Sequence, residues 1–210
     1  MDRYLTIARD LESETEVRGS RFLCALARVG DEEAARAFIR ARRKEHWNAT
    51  HNCTAYVLGE WSDVQRSSDD GEPAGTAGLP MLEVLRRRGV TDTVAVVTRY
   101  FGGTKLGAGG LIRAYGEAVS TALDAAGLLE RRPVALYAVQ AGHAEAGRLE
   151  SDLRGAGWRV REVTWGAAVR IEVAVPAERA EAFTTWLGEL TQGAVRAEAA
   201  GRTHVEVPAE

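Results

Sequence analysis

The chain has 210 residues, with 27 Lys plus Arg against 30 Asp plus Glu and a formal net charge of −3. This balance excludes a globally basic surface that would hold nucleic acid nonspecifically, so any anion site must be local. Two cysteines are too few for a disulfide framework, and no stretch reaches the ~18 apolar residues of a membrane-spanning helix. We therefore expect a cytoplasmic protein that does not enter a membrane.

Apolar periodicity predicts the elements of the first part in order. Strands near 14–17 and 21–29 precede a helix that Asp31 caps and that ends near Lys44. A strand over 52–59 and a polar surface loop over 61–73 lead to a helix over 79–88. A β-branched strand, a glycine-rich loop and a long helix ending near residue 126 follow. The apolar side of that helix is expected to carry Leu111, Ile112, Tyr115, Val119, Ala122 and Leu123.

The composition changes at residues 128–133, where we place a domain boundary. Domain 1–130 is followed by domain 131–210, in which the pattern restarts. A strand over 134–140 and a helix over 143–154 come first. Strands over 158–165 and 167–175, joined at Gly166, precede a helix over 178–190 and a last strand within 194–207. The order βαββαβ is that of a ferredoxin-like domain, so we predict a two-domain α+β protein.

Five glycines within residues 102–110 follow a strand and precede a helix. Glycine exposes backbone N–H groups, and a helix N-terminus adds unpaired donors, so the pattern is typical of a phosphate or anion site. Lys105 is one of only two lysines in the chain and would add a point charge. The residues that we expect at this site are Arg99, Tyr100, Gly102, Gly103, Lys105, Gly107, Gly109, Gly110 and Arg113.

The alternative interpretation of the same glycines is a tight turn that packs a helix on a sheet. The order of a Walker A loop is absent because Leu106 follows Lys105, and there is no clean G-x-G-x-x-G fingerprint. Nucleotide hydrolysis by either loop chemistry is therefore disfavoured.

A second group of polar residues suggests a cleft. Its members are Lys44, His46, His51, Asp69, Asp70 and Glu72. The acidic stretch is either a capped, glycine-rich connection or an acidic rim that faces the basic loop, and the sequence leaves both open. The spacing of His46, His51 and Cys53 matches no zinc signature. We expect no metal, no cofactor and no catalytic residue, and Cys53 as a buried, inert thiol.

Four strings carry a resemblance to a known family: Ser20-Arg21-Phe22, then Ala49–Cys53 with Ala55-Tyr56, Asp69–Gly78 and Arg99–Leu111. Over about residues 14–126 the chain resembles the YigZ/IMPACT family, and its tail resembles the C-terminal domain of the bacterial members by element order. The resemblance implies a first domain similar to the second domain of ribosomal protein S5. It implies a second domain similar to the last domain of elongation factor G. Both of those neighbours handle RNA or ribosomes.

Together these features favour a non-enzymatic protein that binds RNA or the ribosome and modulates translation. A translation-associated protein is a further candidate partner. Two alternatives stay open: a small-molecule or phosphate-handling hydrolase that uses the His/Asp/Glu cleft, and a protein-interaction module. The sequence does not indicate an oligomeric state.

Overall fold

The structure is a computed structural model that describes residues 3–209. Its contacts divide the chain into two compact units, Arg3–Glu130 with residues 207–209, and Arg131–Glu206. Each unit combines helices with antiparallel strands, so the predicted two-domain α+β class is confirmed. Within the described residues no helix has the length and apolarity to cross a membrane.

The N-terminal unit is built around a five-stranded antiparallel sheet with the strand order β2-β3-β6-β4-β5. Its elements are β1 (Tyr4–Ile7), β2 (Leu11–Val17), β3 (Ser20–Arg28), α1 (Glu32–Glu45), β4 (His51–Leu58), β5 (Val64–Ser68), α2 (Gly78–Arg87), β6 (Thr93–Tyr100) and α3 (Gly107–Ala126).

Both faces of this sheet are buried because its central strands are apolar on both sides. Successive side chains of a strand point to opposite faces. In β6, Ala95 and Val97 therefore join the core under α2 and α3, while Val94 and Val96 pack with Ala35 of α1 on the other face. Because helices cover both faces of the sheet, the ends of its central strands are where side chains from several elements can reach solvent.

Helix capping and packing follow the sequence at most positions. Asp31 caps α1, with its Oδ1 accepting the Ala34 N–H at 2.7 Å, as predicted. Leu111 and Tyr115 of α3 lie in the core. Ile112 was expected on that face but is 44% exposed, because it lies one position off the apolar stripe.

Three elements of the N-terminal unit, β5, β1 and α3, differ from the sequence prediction. Residues 64–68 form strand β5 rather than a loop, because pairing with β4 outweighs their polar composition. Strand β1 was not predicted. Helix α3 begins at Gly107 instead of residue 111; Leu106 and Leu111 both pack on the core and hold its first turn despite the low helix propensity of glycine.

The C-terminal unit has the strand order β10-β7-β9-β8 and the predicted sequence of elements, βαββαβ. The hydrophobic core of this unit includes Ile171 and Phe183. Residues 128–130, at the start of β7, belong to the same unit as β1, which adjoins β7 in the sheet order. The elements are β7 (Leu128–Ala141), α4 (His143–Gly155), β8 (Arg159–Trp165), β9 (Val169–Pro176), a 3-10 turn (Ala177–Arg179), α5 (Ala180–Leu190) and β10 (Ala197–Pro208).

Replacing Gly102 by alanine should destabilise the N-terminal unit. A Cβ at Gly102 would lie 2.0 Å from the carbonyl carbon and oxygen of Gly19 and 2.4 Å from the Ser20 nitrogen, so two backbone segments would have to separate. We expect the free energy of unfolding to fall by about 2 to 3 kcal/mol, measured by urea denaturation.

Gly109→Ala is the matched control, because a Cβ there meets nothing within 4 Å. Because residue 109 lies in α3, this substitution should leave the free energy of unfolding unchanged or raise it by up to about 1 kcal/mol. Equal stabilities of the Gly102→Ala variant and the unsubstituted protein would contradict the close packing at Gly102.

Candidate functional site

A cleft of about 380 Å³ opens at one end of the N-terminal sheet. Strands β4 and β6 are antiparallel with His51 opposite Arg99, so the start of β4 and the end of β6 meet at the same edge. The loop before α2 and the start of α3 complete the walls. The lining residues are Thr50, His51, Glu72, Pro73, Arg99, Phe101, Lys105, Leu106, Gly107, Ala108 and Leu111.

The segment between β6 and α3 presents a run of backbone donors. The Phe101 and Gly102 N–H groups donate to the hydroxyls of Thr50 and Ser20, at 3.1 and 3.2 Å. Across the part of the chain that the structure describes, the N–H groups of residues 103–109 have no acceptor. No side chain caps α3 and its first turn holds no acid, so the positive end of the helix dipole is uncompensated.

Lys105 lies within this run of donors. Its side chain is exposed and lines the cleft, and among residues 3–209 its ammonium group has no ion-pair partner. Lys44, the other lysine, is exposed in the last turn of α1 and does not line the cleft. Of the two predicted lysines, the structure therefore brings only Lys105 to the cleft.

A buried ion pair forms the base of the cleft. The Arg99 Nη1 donates to Glu72 Oε1 at 2.6 Å, and the Tyr115 hydroxyl donates to the same oxygen at 2.7 Å. The Arg99 and Glu72 side chains are only 6% and 3% exposed. The Arg99 guanidinium also lies 5.6 Å from the centre of the Phe101 ring. The arginine expected to clamp a phosphate from solvent is thus occupied by a carboxylate.

His51 lines the cleft, and its hydrogen bonding shows which of its two ring nitrogens carries the proton. Its Nδ1 lies 2.8 Å from the Asp70 carbonyl oxygen, which can only accept, so Nδ1 carries the proton. In neutral His51 the Nε2 is then an acceptor, and it lies 3.7 Å from Glu72 Oε2, beyond hydrogen-bond distance. The Nε2 atom therefore remains available to a ligand.

The two aspartates predicted for the cleft stabilise the fold instead. Asp69 accepts the N–H groups of Gly75, Ala77 and Gly78 at 2.8 to 3.1 Å and so caps α2, whose own N-cap residue forms no side-chain bond. Burial alone would raise the pKa of Asp69, but the three backbone donors outweigh it and lower that pKa.

Asp70 is occupied in the same way. It accepts the Asn52 N–H at 2.7 Å and pairs with Arg43 at 2.9 Å. Of the three acids predicted at the site, only Glu72 reaches the cleft, because the other two are needed to fold the loop that carries it. Asp69 and Asp70 thus form a capped connection, whereas Glu72 of the same acidic stretch lines the cleft with Lys105.

Three other predicted residues lie beside the cleft or away from it. His46 accepts from Arg42 at Nε2, and its Nδ1 donates to the Tyr100 hydroxyl, each at 2.9 Å. Neither His46 nor Tyr100 lines the cleft. Arg113 lines a separate depression on α2 and α3 with Arg87. These side chains are therefore not assembled with Lys105.

The two thiols are poor nucleophiles. Burial raises the pKa of Cys53 to about 12, and the Cys53 Sγ donates to the Asp69 carbonyl oxygen at 3.0 Å. Burial likewise raises the pKa of Cys24 to about 12. Within residues 3–209 no three His, Cys, Asp or Glu side chains are grouped so that they could hold a metal ion.

A larger cavity, of about 630 Å³, lies within the C-terminal unit. Its charged lining residues are of both signs, Glu145 and Asp152 with Arg148, so it has no positive character of its own. We therefore take the N-terminal cleft as the candidate site, since its free amides and free ammonium group favour one class of ligand.

Sequence reasoning missed the two hydroxyls that fix the glycine segment. Ser20 and Thr50 lie in two of the strings that carry the family resemblance, but serine or threonine beside a strand end is too common to indicate a role by itself. Only the pairing of β3 and β4 with β6 brings them to residues 101 and 102.

Comparisons with known proteins cover both units. The model described as the Impact N-terminal domain matches residues 18–123, and a domain of unknown function, DUF1949, matches residues 139–194. The IMPACT family member YvyE of Bacillus subtilis (strain 168) is 48% identical over 190 residues, 90% of this chain and 88% of that protein. The IMPACT family member YigZ of Escherichia coli (strain K12) is 37% identical over 198 residues, 93% and 97% of the two chains.

A solved structure described as "Crystal structure of an hypothetical protein" is similar over both units. It is 37% identical, with a TM-score of 0.62, and the match covers 95% of this chain and 98% of that one.

Asp69→Asn should weaken the fold at neutral pH more than in acid. The pKa of Asp69 is lowered in the folded state, so its charged form adds stability above the unfolded value near 3.8, and this is lost as pH falls through the folded value. We expect the substitution to lower the free energy of unfolding by about 1 kcal/mol at pH 7 and by less below pH 3.8. Urea denaturation at pH 7 and at about pH 3 measures the difference.

Glu117→Gln is the control for this pH dependence, because Glu117 is exposed and has no hydrogen-bond or ion-pair partner in the described part of the chain. The free energy of unfolding of the Glu117→Gln variant should equal that of the unsubstituted protein at each pH. A deficit of Asp69→Asn that stayed constant from pH 7 to pH 3 would show that the carboxylate charge is not what caps α2.

Proposed function

The chain belongs to the IMPACT family, and from this premise and the geometry of the cleft we propose that it is a non-enzymatic protein that binds RNA or the ribosome and modulates translation. One observation carries the proposal: the N–H groups of residues 103–109 have no acceptor among the described residues, and the unpaired Lys105 lies within them. Unpaired backbone donors at a helix start, together with a neighbouring cation, suit a phosphate group.

The proposed contact uses the start of α3. A phosphate oxygen accepts hydrogen bonds from the backbone N–H groups of the glycine segment, and Lys105 neutralises part of its charge. The helix dipole adds about 0.3 to 1 kcal/mol. The N-terminal four residues of α3 are Gly107, Ala108, Gly109 and Gly110, so only one small methyl group stands between the helix backbone and a ligand.

Arg99 has an indirect role in this proposal. Through Glu72 it holds the loop before α2 against the end of β6, and so it positions one wall of the cleft rather than meeting the phosphate. The proposal also assigns the C-terminal unit a second contact surface, as its resemblance to the last domain of elongation factor G implies.

A phosphate-handling hydrolase is the second candidate, and His51 is the observation that favours it. Its Nε2 lies in the cleft with the ring oriented by a backbone carbonyl, which is how a general base is held. Turnover of phosphate esters that His51→Ala abolishes would favour this hydrolase over the binding protein.

Lys105→Ala should lower both RNA affinity and its salt dependence. If Lys105 contacts one phosphate, its loss should reduce the slope of log K against log salt by about 0.7 for a single strand. Binding of a fluorescein-labelled oligouridine, followed by anisotropy between 50 and 200 mM KCl, measures both. Co-sedimentation with ribosomes tests the same variant on the larger partner.

Arg113→Ala is the matched control, since it removes an exposed cation of α3 that lies close to Lys105 in the sequence but outside the cleft. It should bind as the unsubstituted protein does. If Lys105→Ala has the same affinity and slope as this control, the glycine segment is not the site and the proposal fails.

A further inference from the structure

Trp47 is the most exposed large apolar side chain described, at 82%. Burial of a large apolar side chain stabilises a fold by about 1.5 to 3 kcal/mol, so an indole left in water adds little to this one. The fold gives Trp47 no partner ring and no core contact in the part of the chain that the structure describes. Its position therefore needs another explanation.

The turn that carries Trp47 borders the cleft. The Ala49 N–H donates to the His46 carbonyl oxygen at 3.0 Å, which closes the turn around Trp47. Thr50 then bonds to β6 twice: its N–H donates to the Arg99 carbonyl oxygen at 2.9 Å, and its hydroxyl accepts the Phe101 N–H at 3.1 Å. The indole therefore lies on a turn that two hydrogen bonds fix to the end of β6, beside the cleft.

A second ring is exposed at the same strand end. Phe101 is 48% exposed and lines the cleft, with the Arg99 guanidinium 5.6 Å from the centre of its ring. Accessible aromatic faces beside a phosphate site are the surface on which the bases of a single strand stack.

The charges near these rings fit a nucleic acid backbone. Lys44 lies three residues before Trp47, is exposed, and has no ion-pair partner within residues 3–209. Lys105 lies in the cleft beyond Phe101. The two lysines among the 27 basic residues of the chain are therefore both unpaired in residues 3–209; Lys44 is close to Trp47 in the sequence, and Lys105 lines the same cleft as Phe101.

Resting on the proposed function and deepening it, we propose that the RNA bound is single-stranded and that one of its bases stacks on Trp47 at the rim of the cleft. The interior bases of a duplex are stacked on both faces, so along its length only an unpaired strand offers a base to the indole. The phosphates on either side of the stacked base would lie near Lys44 and Lys105.

Trp47→Ala tests this inference, with Trp61→Ala as the matched control. Trp61 is also exposed, at 62%, but it lies in the turn between β4 and β5, at the opposite end of β4 from His51. Anisotropy measures binding of a fluorescein-labelled oligouridine 12-mer and of a 12-base-pair RNA duplex to each full-length variant.

We expect Trp47→Ala to weaken oligouridine binding about tenfold or more and to leave duplex binding and the salt slope unchanged. Trp47→Phe should retain most of the affinity, and Trp61→Ala should bind as the unsubstituted protein does. Because Trp47 has no core contact, all three variants should keep the melting temperature.

Equal oligouridine affinities of Trp47→Ala and Trp61→Ala would overturn the stacking inference. If the salt slope of oligouridine binding still depended on Lys105 in that case, the proposed function would stand without it. Equal weakening of oligouridine and duplex binding would also overturn it. Loss of ribosome co-sedimentation with unchanged RNA binding would overturn it in favour of a protein partner for the indole. If the unsubstituted protein binds neither RNA nor ribosome, both proposals fall.

Discussion

The buried ion pair between Glu72 and Arg99 is the constraint on which the candidate site depends. One carboxylate oxygen receives donors from the end of β6 and, through Tyr115, from α3, while the carboxylate itself belongs to the loop before α2. Three elements therefore meet at a single atom. Removing one partner of a buried pair leaves an uncompensated charge, which costs about 3 to 5 kcal/mol. Because separating Glu72 from Arg99 would carry this cost, the pair keeps the walls of the cleft together.

Acidic and basic groups near the cleft have different roles. Asp69 and Asp70 are saturated by backbone donors and Arg43, and the inner oxygen of Glu72 is saturated by Arg99 and Tyr115. In the part of the chain that the structure describes, the unpaired donors near the cleft are the amides of residues 103–109 and the Lys105 ammonium group. An apparently mixed polar surface thus offers mainly donors to a ligand. This supports an anionic partner although the chain as a whole is slightly acidic.

Sequence patterns predicted what depends on local spacing. The cap at Asp31, the apolar strand β6 and the βαββαβ order are encoded within a few neighbouring residues each. Strand β5 was missed because its polar residues are extended only through pairing with β4. The glycine segment could be found from its composition, but the fate of Arg99 could not, since its partner Glu72 is 27 residues away and their meeting depends on the sheet.

The contact of Gly102 with the backbone of Gly19 has a kinetic consequence. One end of the glycine segment packs against the turn at Gly19 and the other is held by Leu106, which packs against the core, so the segment is fixed at both ends by the fold itself. In the proposed contact, phosphate binding would then need no rearrangement of this segment, so encounter and electrostatic steering would set the association rate. Free and bound forms of this segment would superimpose closely, and the entropy of ordering it is already part of the folding of the unit.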